Sequence, residues 1–176
     1  MHKNLLLFVT FFIFIFSSKS QIISSELIDN ALMKAKEENK YVFVNYRVES
    51  CELSKKLEHQ MTNETCKPLY NTSYVVVDIV LPENKAKTYF GSIDNRVKTN
   101  TKVKGFPFWY ILDNDGNFIE MSYDANGNNI GYPTTKKKVN EFIKIVSKTS
   151  KLTERKLNII ANSLHIQNNE QLLSGK

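Results

Sequence analysis

Only two cysteines, Cys51 and Cys66, and three histidines occur in the 176 residues. None of the five stands at metal-ligand spacing, so the sequence gives no ground for a zinc site or for any other metal. The six glycines form no phosphate-cradling loop, and no Ser/His/Asp combination offers an activated hydroxyl; no cofactor is indicated. Concentrated positive charge is missing too. The formal net charge is +6, with Lys3 and Lys19 inside the first twenty residues and no basic stripe elsewhere, which argues against nucleic-acid binding. The densest cluster, Lys136, Lys137 and Lys138, opens a predicted helix with Val139, Phe142, Ile143 and Val146 on its inner face, and reads as that helix's solvated side. Disorder is excluded by 41% hydrophobic and 24% charged residues, both near globular averages. The length suits one domain with a real core.

Long hydrophobic runs are equally scarce. The one that stands out, Leu5 to Phe16, follows a basic start (Met1, His2, Lys3) and precedes Ser17-Ser18-Lys19-Ser20. It is too short to cross about 30 Å of hydrocarbon as a helix and suits the core of a signal peptide. Ser18 and Ser20 fit the −3 and −1 positions, which predicts cleavage before Gln21. The expected organisation is a signal peptide over 1–20, a domain over 21–149 and a helical extension with a frayed tail over 150–176. The expected location is the periplasm or outside the cell, with no stable membrane insertion after cleavage. Cysteine pairing is chemically permitted there.

Ser24 or Ser25 caps a predicted helix that runs to about Glu38 along the stripe Leu27, Ile28, Ala31, Leu32 and Ala35, with Asn39 suited to the left-handed position after it. Tyr41 to Tyr46 reads as a buried strand. From Glu52 the apolar residues Leu53, Leu57 and Met61 fall at helical spacing until Asn63 and Pro68 interrupt them. Tyr74 to Leu81 is a β-branched strand closed by Pro82. A helix is predicted over 94–102. Phe106 to Leu112 and Phe118 to Ser122 read as strands joined by Asp113-Asn114-Asp115-Gly116-Asn117, a hairpin signal. Asp124 to Pro133 is a polar loop, followed by a helix from about Thr135 to Ser147 and another over 152–164, with fraying from Ile166 onward. Helices alternating with strands, then an antiparallel pair, predict an α/β domain with a central mixed sheet covered on both faces.

Two local motifs sit on this order. Tyr41-Val42-Phe43-Val44-Asn45-Tyr46 leads into Cys51-Glu52-Leu53-Ser54-Lys55-Lys56-Leu57, and Val103-Lys104-Gly105-Phe106-Pro107-Phe108 comes later, ahead of a strand and an Asp115-Gly116 turn. Together, over roughly Leu27 to Val146, they resemble the thioredoxin superfamily, whose strand leads to a Cys-x-x-Cys helix start and whose Val-x-Gly-x-Pro-Thr segment carries a cis proline. Among its members the chain is most similar to the small exported thioredoxin-like proteins of bacteria. The resemblance implies a thioredoxin-like fold, with Cys51 as the nucleophile, Ser54 in the place of the resolving cysteine and Pro107 as the residue beside which an extended client lies. The departures bear on function: Ser54 replaces the second thiol, Ser50 the usual tryptophan, Asn45 the buried aspartate and Phe108 the threonine. A serine hydroxyl cannot attack a mixed disulfide and release the partner, so an ordinary dithiol cycle is excluded.

Cys51 at a helix start is a candidate for thiolate chemistry, with Arg47, Lys55 and Lys56 adding positive potential and Glu49 and Glu52 opposing it. His59 lies about 12 Å along the helix and is poorly placed as its base. Cys66 is a candidate partner for Cys51, yet a helix over 52–61 carries the chain about 15 Å away before the break, against the roughly 7 Å that a disulfide tolerates between Cα atoms. Packing as a small apolar residue is the other reading of Cys66. Phe106, Phe108, Trp109 and Tyr110 read mostly as core, with an exposed aromatic near Cys51 able to serve as a platform for a peptide. Asn63-Glu64-Thr65 and Asn71-Thr72-Ser73 are formal glycosylation sequons.

Three functional readings follow. One is an exported monothiol protein that forms mixed disulfides with protein thiols, isomerises them or holds clients. Another is a redox-inactive binding module for an extended peptide segment. The third is a dimer linked through Cys51.

Overall fold

β1 (Tyr41–Val48) is hydrophobic nearly throughout because it lies inside the sheet and is covered on both faces. The computed structural model describes residues 24–86, 97 and 103–174. The order is α1 (24–38), β1, α2 (Glu52–Thr62), α3 (Lys67–Ser73), β2 (Tyr74–Leu81), the single turn α4 (Glu83–Ala86), β3 (Phe108–Leu112), β4 (Phe118–Met121), α5 (Lys136–Thr149) and α6 (Glu154–Ser174). The strands stand in the order β2-β1-β3-β4. β1 pairs with β2 in parallel, from Tyr41 opposite Tyr74 to Val48 opposite Leu81. It pairs with β3 antiparallel, from Val42 opposite Leu112 to Tyr46 opposite Phe108, and β4 extends the sheet antiparallel to β3. A mixed sheet with helices on both faces, entered by a strand-helix-strand unit and left by a hairpin and a helix, is the thioredoxin-like arrangement predicted above.

Alternation along the strands divides the core in two. Phe43, Trp109 and Ile111 face Leu57, Met61 and Tyr70 of α2 and α3 and Phe142, Val146, Ile160 and Leu164 of α5 and α6. Trp109 anchors this side: its ring stacks on Phe43 at 5.2 Å, meets Phe142 edge-on at 5.4 Å, and its Nε1 donates to the Gly131 carbonyl at 2.9 Å. Val42, Val44, Tyr46, Ile79 and Tyr110 point the other way, onto Ile28, Ala31 and Ala35 of α1.

Several local expectations hold. Asn39 takes φ 50° directly after α1, and Thr135 caps α5 through its side chain, which accepts from the Lys138 N–H. Others are corrected. Ser24 already lies within α1, Ser25 Oγ donates to the Asp29 carboxylate, and Leu27 is 44% exposed, off the buried stripe. The break after α2 holds a further helix, α3, because Pro68 stands in its first turn, where a missing N–H costs nothing. α6 runs to Ser174, past the predicted fraying point, since no proline or glycine intervenes before Gly175. The predicted signal peptide and the predicted helix over 94–102 lie outside the described residues, apart from Val97. No helix among the described residues is long and apolar enough to cross a membrane.

Candidate functional site

The chain leaves β1 at Val48, turns with the Cys51 N–H bonded to the Val48 carbonyl at 3.0 Å, and enters α2 at Glu52. Cys51 is thus the N-cap, one position before the predicted first turn, in an extended conformation. Its carbonyl accepts the first helical bond, from Lys55 N at 3.1 Å, while its side chain caps nothing. The N–H groups of the first turn have no acceptor within the helix and face the sulfur's end of α2.

Cys51 is half-buried, and its Sγ lies 3.6 Å from the Phe106 carbonyl oxygen, which accepts its S–H. Phe106 precedes Pro107, and the peptide between them is cis, as the resemblance implies. Two of the three predicted site residues therefore come together. Pro107 itself is buried and Phe106 is half-buried beside the sulfur, while Phe108, Trp109 and Tyr110 are core, as that aromatic cluster mostly reads. Ser54 does not join them at the surface. It is fully buried on the inner face of α2, and its hydroxyl has no hydrogen-bond partner among the described residues.

The predicted positive potential around the sulfur is spoken for by other groups. Lys55 bonds Glu52 at 2.8 Å, and that bond raises the lysine's pKa and lowers the glutamate's. Arg47 is held by Asp78 at 2.5 Å and by Glu58 at 3.2 Å. The Lys56 ammonium stands 5.9 Å from the Tyr132 ring centroid. Asn45, where the resemblance implies an aspartate, is 2% exposed and donates to Asp78 at 2.9 Å, leaving its own Oδ1 without a partner among the described residues.

Both cysteines are free. Cys66 is fully buried in the core on the Trp109 side, whereas Cys51 packs against the core on the Tyr46 side. This matches the expectation that Cys66 is a small apolar residue. Asn63 of the first sequon uses both ends of its amide: it donates to the Gln60 carbonyl at 3.0 Å and accepts from the N–H groups of Thr65 and Cys66.

Sequence reasoning missed Asn129. Its Nδ2 donates to the carbonyls of Gly105 (2.9 Å) and Pro107 (3.1 Å), the residues on either side of Phe106. Its Oδ1 accepts from Ser122 Oγ at 2.8 Å and from Gly131 N at 3.0 Å. Nearby, the Tyr123 hydroxyl accepts from Lys104 N and Lys104 Nζ donates to the Gly127 carbonyl. The polar loop after β4 is therefore a brace for the proline segment. No sequence signal marks Asn129 among the many asparagines around it.

The two glycine turns share one construction. Asp113 Oδ1 accepts from Asp115 N and Asn117 N, with Asn117 Nδ2 on Oδ2; Asp124 does the same with Asn126 N, Asn128 N and Asn128 Nδ2. These carboxylates are occupied by amides, which accounts for Asp-x-x-Gly-Asn as turn chemistry. Among the described residues no three His, Cys, Asp or Glu side chains converge as a metal site.

No protein-family model matches the chain, and no curated protein matches it. Among solved structures it is similar to a disulphide isomerase from Xylella fastidiosa Temecula1, at 16% identity over 53% of this chain and 69% of that one, with a TM-score of 0.41. It is also similar to DsbH oxidoreductase, at 17% identity over 70% of this chain and 81% of that one, with a TM-score of 0.43.

Proposed function

We propose that the chain acts outside the cytosol, in the periplasm or beyond the cell, in thiol-disulfide chemistry through Cys51 alone. The observation that carries this is the half-buried Cys51 sulfur at the head of α2, touching the carbonyl before Pro107, with the other thiol buried across the sheet. As a thiolate, Cys51 attacks one sulfur of a client disulfide. The Cys51–client bond forms, the client's own S–S bond breaks, and the displaced client sulfur leaves as a thiolate.

Ser54 offers no second thiol, so resolution falls to the client or to an external thiol. A client that supplies it is isomerised; one that does not remains held. Pro107 and the half-buried Phe106 border the place an extended client segment would occupy. The proposed catalytic residue is Cys51, with Pro107 as the client-positioning residue and Ser54 as the neighbour that leaves the adduct intact.

Recovery of activity by a protein refolded with scrambled disulfides tests the reading. The unaltered chain accelerates recovery and Cys51→Ala does not. If both chains act equally, the reading fails, and the competing one, a binding module with an inert sulfur, replaces it.

A further inference from the structure

A groove of about 650 Å³ opens beside the Cys51 loop, lined by Glu49, Ser50, Lys55, Val80, Pro82 and Glu83. It lies past the C-terminal ends of the parallel strands β1 and β2, on the opposite side of β1 from the segment that leads into β3. The crevice outside the carboxyl ends of parallel strands is a general location for ligands in α/β sheets.

Among the described residues its lining carries two carboxylates, Glu49 and Glu83, and one cation, Lys55. Glu52 holds Lys55, and Asp78 and Glu58 hold Arg47. Glu49 and Glu83 form no ion pair among the described residues. Val80, 44% exposed, and Pro82 provide an apolar surface between them. On a chain whose overall charge is +6, this is a local acidic recess next to the sulfur-bearing residue.

We propose that this groove is a specificity subsite for the Cys51 reaction and receives a lysine or arginine of an extended client segment. The inference rests on the thiol-exchange reading of Cys51. The aliphatic stem of the basic residue packs on Val80 and Pro82 while its head reaches Glu49 and Glu83. Because Ser50 lines the groove and adjoins Cys51, and an extended chain advances about 3.3 Å per residue, the basic residue stands one to three places from the client's cysteine. A client with acidic neighbours meets like charge there and is rejected.

Two blocked peptides test it, Arg-Ala-Cys-Ala-Arg and Glu-Ala-Cys-Ala-Glu, each carrying nitrothiobenzoate on its cysteine. Cys51, its proton released to solvent, attacks the peptide sulfur. The Cys51–peptide bond forms, the bond to nitrothiobenzoate breaks, and the coloured thiolate that leaves is measured. Each rate is divided by that of the same peptide with a small neutral thiol. The arginine peptide is expected to react about three to ten times faster at low salt, since exposed pairs are individually weak. The ratio should fall toward one in Glu49→Gln/Glu83→Gln and with added salt. Taking the ratio cancels any change the substitutions make to the nucleophile. A ratio near one in the unaltered chain, or one unchanged in the double variant, overturns the subsite.

If neither peptide exchanges, the thiol reading fails by itself, and the same peptides with serine for cysteine decide the groove by direct titration. Tighter binding of the arginine peptide that weakens in the double variant supports the subsite. Equal binding, or none, overturns it.

Discussion

Asn129 Nδ2 donates to the Pro107 carbonyl at 3.1 Å, tying the loop after β4 to the segment that faces Cys51. The same amide bonds the Gly105 carbonyl, and its oxygen takes the Ser122 hydroxyl and the Gly131 N–H. One side chain thus fixes four groups from three parts of the chain. Asn129→Ala removes them all and leaves part-buried polar atoms unpaired. The expected cost is about 1–3 kcal/mol, measured as a lowered denaturant midpoint. An unchanged midpoint would show that the loop braces nothing.

Ser54→Ala is expected to be neutral or to stabilise the fold by up to about 1 kcal/mol, because the buried hydroxyl has no partner among the described residues to lose. Ser54→Cys places a second sulfur on the turn of α2 that follows Cys51, where the resemblance implies a resolving cysteine. A mixed disulfide on Cys51 that persists in the unaltered chain should then be released, with an internal disulfide left behind, as read by intact mass. Persistence of the adduct in Ser54→Cys would show that position 54 does not decide resolution.

Differential alkylation separates the two thiols. Cys51 is half-buried and Cys66 fully buried, both free. The native chain should accept one equivalent of a small alkylating reagent, at Cys51, and the denatured, unreduced chain two. One equivalent or none after denaturation would mean that a disulfide exists.

Burial pushes the phenols of Tyr70 and Tyr74 above their ordinary value of 10.0, and that of Tyr132 up to about 12. The sign follows from linkage. Below pH 10 both states keep these protons. Above it the unfolded chain releases them while the folded chain retains them, so stability falls as pH rises from about 10 through 12. A spectrophotometric titration should show these three of the eight tyrosines ionising late and together with unfolding. Ionisation of all eight near pH 10 in a folded chain would contradict the packing.

The strands and the phase of α5 were legible because their apolar spacing follows directly from which face is buried; in α2 Leu57 and Met61 are buried as the spacing predicts, whereas Leu53 is 37% exposed and Ser54 takes the inner face beside them. The Asp113–Asn117 turn was legible because its glycine and asparagine chemistry is local. Asn129, Ser54's burial and the groove were not, since each depends on what distant segments place against it. Asn129 reads as one more loop asparagine until the segment from Gly105 to Pro107 is folded beside it. Pro68 reads as an interruption because a breaker inside a helix and a helix's own first turn look alike in sequence. The cancellation of charge around Cys51 was equally hidden: Arg47 turns to Asp78, thirty-one residues away.

Intact-mass analysis of the native chain after exposure to a small disulfide such as oxidised glutathione tests the central claim most directly. The account predicts one adduct, on Cys51, stable until an external thiol is added and absent in Cys51→Ala. No adduct, or an internal Cys51–Cys66 disulfide in its place, would contradict it.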